Sequence, residues 1–325
     1  MTPSVEAKPG FSVVICAFTT ERWEELSAAV ASVAAQTMPA RETIVVIDHN
    51  DDLLARAREA FPAAGVVSND GRRGLSDARN HGVRAAGGTL VAFLDDDARA
   101  DPAWLERLSE AYDNPDVMGV GGSAAPAWAS GRRPRWFPEE FDWVVGCSYL
   151  GLPDRRAPIR NFLGCNMSFR REAFTIAGGF DTAVGRVGTR PVGGEETEFC
   201  IRLRRLRPGT MLMYEPSARV QHSVPRTRST WRYFRARCYA EGLSKAVVSR
   251  LAGSNDGLAS ERRYVIATLP VGVLRNLALA IPRRDLGGPA RAGAILAGLA
   301  VTIVGYAVGR ARPAGVQAAS RALES

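Results

Sequence analysis

Apolar positions in the first third of the chain alternate between unbroken runs and helical spacing. Phe11 to Phe18 (FSVVICAF) is a continuous run rich in β-branched residues, and Glu24 to Gln36 (EELSAAVASVAAQ) then carries apolar residues at helical intervals, a β-α start. Thr43 to Ile47 predicts a second buried strand ending in Asp48, Leu53 to Phe61 a short helix closed by Pro62, and Val66-Val67 a weaker third strand. Ser76 to Ala86 predicts a helix ended by Gly87-Gly88, and Thr89 to Leu94 a fourth strand running into Asp95-Asp96-Asp97. Asp101 as N-cap and Pro102 at the first helical position predict a helix over Pro102 to Tyr112, followed by a fifth strand at Val117 to Val120. Strands alternating with helices through short links predict an α/β fold, with a mainly parallel, Rossmann-like sheet covered by helices on both faces.

After Gly122 the pattern loosens into a stretch of Pro, Gly and aromatics (Trp128, Trp136, Phe137, Phe141, Trp143, Tyr149), expected to be mostly irregular and to lie over the sheet. Order returns with a helix at Arg171 to Ala177, a Gly-rich loop from Gly178 to Gly194, a helix at Glu195 to Arg205 and a strand near Met211 to Tyr214. Beyond residue 226 the character changes. Arg228 to Leu251 is a basic amphipathic stretch, and two apolar segments follow, Tyr264 to Pro282, interrupted by Arg275, and Ala292 to Gly309. This divides the chain into a flexible N-terminus (1–10), an α/β domain (11–225) and a helical extension (226–325).

The 46% hydrophobic content of 325 residues suffices for one large α/β domain with an accessory segment. The formal charge of +8 hides an asymmetry: residues 202–325 carry 21 Lys/Arg against 6 Asp/Glu, while residues 1–201 are net acidic. A basic C-terminal third suits an anionic membrane surface or nucleic acid. No interleaved stacking aromatics on a basic face support nucleic acid, and the apolar segments favour membrane. The five scattered cysteines form no C-x-x-C pair, so neither a disulfide framework nor a zinc site is expected, and a reducing cytoplasm fits best. MTPSVEAKPG lacks the basic and apolar regions of a signal peptide.

Three features carry chemistry. Asp95-Asp96-Asp97 follows a buried strand at the edge where open α/β sheets place ligands, and Asp95 and Asp97 of an extended turn can share Mg²⁺ or Mn²⁺ with diphosphate oxygens. Glu195-Glu196 sits where a Gly-rich loop meets a helix, either as ordinary first-turn acids or as a base for an acceptor hydroxyl. Gly74-Leu75-Ser76 with Arg79 can place N–H groups and a guanidinium near a phosphate, and His222 is either a plain strand residue or a neutral metal ligand. No G-x-x-x-x-G-K-[ST] is present and no G-x-G-x-x-G follows the first strand, so P-loop and dinucleotide-binding enzymes are disfavoured.

Taken in order, VVICAFTTERWEELSAAVASVAAQT, IVVID, GLSDARNHGVRAAGGTLVAFLDDDA, GCNMSFRREAFTIAGGFD, GGEETEFCIRLRR and YEPSARVQH resemble the family 2 glycosyltransferases over residues 11–224. The resemblance implies a GT-A fold and an inverting, metal-dependent transfer from a nucleotide-diphosphate sugar. It places Ala17, Thr19, Glu21 and Asp48 around the nucleoside, and Arg79, Asp95 and Asp96 beside the nucleotide. Asp97 becomes the principal metal ligand, with Asp95 and His222 in reach. Gly164, Cys165 and Asn166 form the wall facing sugar and acceptor, and Glu196 takes the position of the base. The family usually has Asp at that position, which keeps Glu195 as a rival, and usually reads Asp-Asp-Gly-Ser where this chain has Asp48-His49-Asn50-Asp51-Asp52.

Two rival classes compete. A sugar-phosphate nucleotidyltransferase would also want carboxylates and metal, but carries a Gly-rich basic loop after its first strand. A non-catalytic membrane- or nucleic-acid-binding protein would rest on the basic third alone. The arginine-rich helix and the apolar segments suggest that residues 228–312 hold the enzyme on the cytoplasmic membrane face. There the acceptor would be a lipid-linked glycan or polyprenyl phosphate of cell-envelope polysaccharide synthesis. A spanning hairpin would export a loop with three arginines against one aspartate, so a monotopic association is expected, with Arg232, Arg235 and Arg237 facing anionic headgroups. The alternative is an Ala-rich helical pair packed on the catalytic domain or forming a dimer.

Overall fold

The computed structural model describes residues 10–182, 194–252, 263–280, 285 and 287–311. The N-terminal segment 1–9, most of the Gly-rich loop (183–193) and 312–325 lie outside the described residues. Strand β1 (Phe11–Ala17) is buried on both faces. Val13, Ile15 and Ala17 join one core while Val14 joins the other, which is why its sequence reads as an unbroken apolar run. Helix α1 (Trp23–Ala34) buries Leu26, Ala29 and Val33 on a single stripe. The sequence β2 (Glu42–Asp48), α2 (Asp51–Ala60), β3 (Gly65–Asn69), α3 (Leu75–Ala85) and β4 (Leu90–Asp95) completes the parallel half of the sheet.

The remaining strands are β5 (Ala98–Ala100), β6 (Val117–Trp128), β7 (Ala157–Pro158), β8 (Asn166–Arg170) and β9 (Met211–Val224). They extend one nine-stranded sheet in the order β3-β2-β1-β4-β8-β6-β9-β5, with β7 also on β9. Strand β8 runs antiparallel between β4 and β6, whereas β6 and β9 are parallel, so the sheet is mixed with mostly parallel pairing along its length. Helices flank it, among them α4 (Trp104–Ser109), α5 (Arg171–Ala177) and α6 (Glu195–Leu206). This is the GT-A type of α/β architecture that the sequence resemblance implies.

Three local expectations are corrected. Asp101 does not cap a helix from Pro102: its carbonyl accepts from Trp104 N (2.9 Å) and from Gln36 Nε2 (2.8 Å), and α4 begins only at Trp104. The fifth strand does not stop at Val120, because Gly121 to Ala127, mostly small residues, continue pairing with β9 as far as Trp128. The aromatic stretch does not lie over the sheet. Phe137 and Phe141 sit with Phe234, Leu269 and Ile295 in a separate core shared with the C-terminal helices.

Those helices are α7 (Trp231–Ala252), α8 (Leu269–Ala280, preceded by a π-helical turn Tyr264–Thr268) and α9 (Gly287–Ala311). Helices α7 and α9 approach closely because two glycines face each other's backbone: a Cβ on Gly242 would lie 2.2 Å from Thr302 O, and one on Gly305 2.2 Å from Tyr239 O. The extension is also tied to the preceding α/β part of the chain, since Arg275 reaches the buried Glu140 at 3.0 Å and a Cβ on Gly298 would run into the Phe141 ring. Among the described residues, α9 alone is long and apolar enough to cross a membrane, with a mean hydropathy of 1.9 and 33% of its apolar window buried.

Candidate active site

The carboxyl ends of β1, β2 and β4 meet at one edge of the sheet, as adjacent parallel strands in register require. Asp95 ends β4, and the turn that follows carries Asp96 and Asp97. Strand β9 runs back beside β5, pairing Ala98 with His222, and so brings the histidine to the same turn. Ligand atoms of Asp95, Asp97 and His222 all lie within 4.8 Å of one another.

Arg22 reaches Asp96 at 2.6 Å and Asp97 at 3.2 Å, while His222 Nε2 lies 3.1 Å and Arg228 3.7 Å from Asp97. Burial alone would raise the Asp97 pKa, but the His222 imidazolium and the two arginines hold it below the ordinary carboxylate range. Burial would likewise lower His222, yet Asp97 holds it well above its usual value. Burial and the neighbouring Asp97 push Asp96 up to about 8, and its Oδ2 is buried with no hydrogen-bond partner. The carboxylates of Asp95 and Asp97, with the orphaned Asp96 oxygen beside them, are the hard donors that a Mg²⁺- or Mn²⁺-type cation prefers, and His222 would join them only after giving up its proton.

Arg79 of α3 is the organising cation. It is 2% exposed and donates to Glu195 Oε1 (2.8 Å), Asp95 Oδ1 (3.2 Å) and the Gly164 carbonyl (3.0 Å), joining α3, β4 and α6 to the loop before β8. Its bonds separate the acids of the first turn of α6. Glu195 is only 4% exposed and bound to Arg79, and Glu198 is paired with Arg202 at 2.7 Å. Glu196 lines the cavity, where burial and the adjacent Glu195 push its pKa up to about 8.

The cavity has a volume of about 640 Å³ and brings together Arg79, Asp95, Gly164, Cys165, Glu195, Glu196 and His222. Asn166 does not join that wall. Its amide spans the interior, donating to Ser123 O and Ala218 O and accepting from Trp104 Nε1, and it is fully buried. Ala17, Thr19, Glu21 and Asp48 stand outside the cavity lining, at the carboxyl ends of β1 and β2 and in the turn after β1. Glu21 is exposed, whereas Asp48 is committed to shaping the next turn, accepting from Asn69 Nδ2 (2.8 Å) and Gly74 N (2.9 Å). His49 follows at φ 52°, and Asn50 caps α2 by accepting from Leu53 N, which accounts for the departure from the usual loop sequence. Sequence reasoning missed Arg22 and Arg228; the one available signal was that three adjacent carboxylates need nearby positive charge.

Comparison with known proteins agrees with the geometry. The model of the family described as glycosyl transferase family 2 matches residues 12–176. Glu195, Glu196 and His222 lie beyond that match. A glucosyl-dolichyl phosphate glucuronosyltransferase of Haloferax volcanii is 39% identical over 246 residues, covering 74% of this chain and 77% of that protein. The succinoglycan biosynthesis protein ExoM of Rhizobium meliloti is 27% identical over 279 residues, covering 79% and 85%. With the family model spanning the sheet through the Asp95–Asp97 turn and a relative this similar over most of both lengths, the chain belongs to the family 2 glycosyltransferases.

Proposed function

We propose that this glycosyltransferase moves a sugar from a nucleotide-diphosphate donor to a hydroxyl of a lipid-linked acceptor, with inversion at the anomeric carbon. The reading is carried by the separation of the α6 carboxylates. Glu195 is held by Arg79, while Glu196 faces the cavity that also contains Asp95 and His222 and keeps a proton affinity near neutral pH. A carboxylate held in a cavity with its proton affinity raised by burial is suited to acid–base work. The Glu196 carboxylate takes the acceptor proton as the hydroxyl oxygen attacks the anomeric carbon, and the nucleoside diphosphate leaves with the bonding electrons. Asp95, Asp97 and His222 would hold Mg²⁺ or Mn²⁺, which when bound supplies positive charge for the departing diphosphate. Arg79 fixes Glu195 and Asp95 in place. Ala17, Thr19 and Glu21 offer the nucleoside a surface, and Asp48 supports it by holding the 69–74 turn.

A base of this kind predicts a pH profile. Glu196 is active only when ionised, so the transfer rate under saturating substrate rises about tenfold per unit below its pKa and levels off above about 8. A profile flat between pH 6 and 9 would contradict the assignment.

The lipid-linked acceptor is supported by the acceptor named for the Haloferax volcanii relative and by the apolar outer side of the extension. Val271, Leu274 and Val304 are each more than half exposed, and Arg232 and Arg235 are exposed on α7. Arg237 does not face outward with them; it is buried and lines the cavity. The packing of α9 against Phe141 and α7 favours a monotopic association on the cytoplasmic face over a spanning helix. Full-length protein is expected to sediment with anionic vesicles, and a variant combining Val271→Asp, Leu274→Asp and Val304→Asp to remain in the supernatant. Wild-type protein left in the supernatant would remove the membrane from the account, and a variant that sediments as well as wild type would take Val271, Leu274 and Val304 out of the contact.

A further inference from the structure

The cavity that holds Glu196 continues beyond the catalytic carboxylates into the helical extension. Its far wall is one face of α7, with Arg237, Glu241, Ser244 and Lys245 at helical spacing, joined by Arg263 and closed by apolar residues of α9 that include Leu299 and Ile303. Arg237 is only 8% exposed, so a guanidinium forms part of an enclosed wall. Glu241 pairs with Lys245 at 3.1 Å and its charge adds to the raised pKa of Glu196, which sets this face of α7 beside the catalytic base. Three cations against one acid leave the wall net positive.

The wall also has an exit. Ile303 lines the cavity and is yet 57% exposed, next to Val304 and one helical turn or two from Leu296, both more than half exposed. The cavity therefore opens onto the apolar outer side of α9. A hydroxyl held at Glu196 needs neither a cationic wall nor an apolar exit. The two together fit an amphiphile whose anionic group follows its sugar and whose tail leaves through lipid-facing surface. The Arg237 guanidinium is costly to desolvate, whereas Lys245 is partly buried and Arg263, which also lines the cavity, is exposed; charge-assisted bonds to a phosphate offset the cost at Arg237.

We propose that Arg237, Lys245 and Arg263 bind the phosphate of an isoprenyl-phosphate-linked acceptor, whose chain leaves past Leu299 and Ile303. The proposal rests on the glycosyltransferase reading and deepens it, making α7 and α9 the acceptor half of the active site. Full-length protein in non-ionic detergent is titrated with farnesyl phosphate, with farnesol, with inorganic phosphate and with phosphatidylglycerol. Binding of a nucleoside diphosphate with Mn²⁺ is measured in the same wild-type samples.

Farnesyl phosphate is expected to bind at least about tenfold more tightly than the other three. Lys245→Ala and Arg263→Ala are each expected to weaken it about tenfold, and Lys245→Arg to restore it, at an unchanged melting temperature. Farnesyl phosphate binding no better than farnesol, or binding indifferent to both alanine variants, would overturn the site. Equal binding of phosphatidylglycerol would overturn it by assigning the wall to bilayer headgroups. Failure of the nucleoside diphosphate to bind would instead count against the underlying reading, so the two failures are separable.

Discussion

Glu196→Gln is expected to lower the transfer rate by about 10² to 10⁴, or roughly 3–5 kcal/mol of barrier, while leaving donor affinity within a factor of two or so of wild type. Glutamine keeps the size and polarity of the side chain but cannot accept the acceptor proton. Glu195→Gln should behave differently. It weakens the buried contact to Arg79, which retains Asp95 and the Gly164 carbonyl. The cost should therefore fall at or below the lower end of the roughly 3–5 kcal/mol typical of a broken buried ion pair, and appear as a lower melting temperature. Rates measured alongside melting curves distinguish the two. A larger rate loss in Glu195→Gln at unchanged stability would move the base to Glu195.

The second large effect is expected at Asp97. Asp97→Ala should weaken Mn²⁺-dependent nucleoside diphosphate binding by more than the roughly 10–100-fold typical of residues that merely orient ligands. EDTA should abolish transfer by the wild type. Asp97 is one of three clustered donors with Asp95 and His222, and a diphosphate beside three carboxylates is repelled without an intervening cation. Titration calorimetry with Mn²⁺, with and without nucleotide, reads this independently of turnover. Unchanged Mn²⁺ affinity in the variant would remove Asp97 from the site.

The parts of this site legible in the sequence are those fixed by local pattern. An apolar run ending in Asp95-Asp96-Asp97 can hardly be other than a buried strand delivering carboxylates to the sheet edge, and β4 is that strand. The order of the motifs led to the family. What the sequence left open was decided by contacts between distant segments. Nothing local distinguishes Glu195 from Glu196; the difference is made by Arg79, more than a hundred residues away. The residues Gly121 to Ala127, mostly small, show no strand signal of their own, and they extend β6 only because β9 lies alongside. Asn166 stands next to cavity-lining Cys165, yet strand alternation turns its side chain into the interior. Helical periodicity marked α7 as amphipathic without revealing that the face bearing Arg237 closes the catalytic cavity.

The central claim is a single displacement assisted by one carboxylate, and the stereochemistry of the product tests it most directly. A panel of nucleotide sugars with Mn²⁺, screened by thermal stabilisation, identifies the donor, and NMR then reads the anomeric configuration of the linkage formed on the lipid-linked acceptor. The account predicts a configuration opposite to that of the donor. Retention of the donor configuration would contradict it.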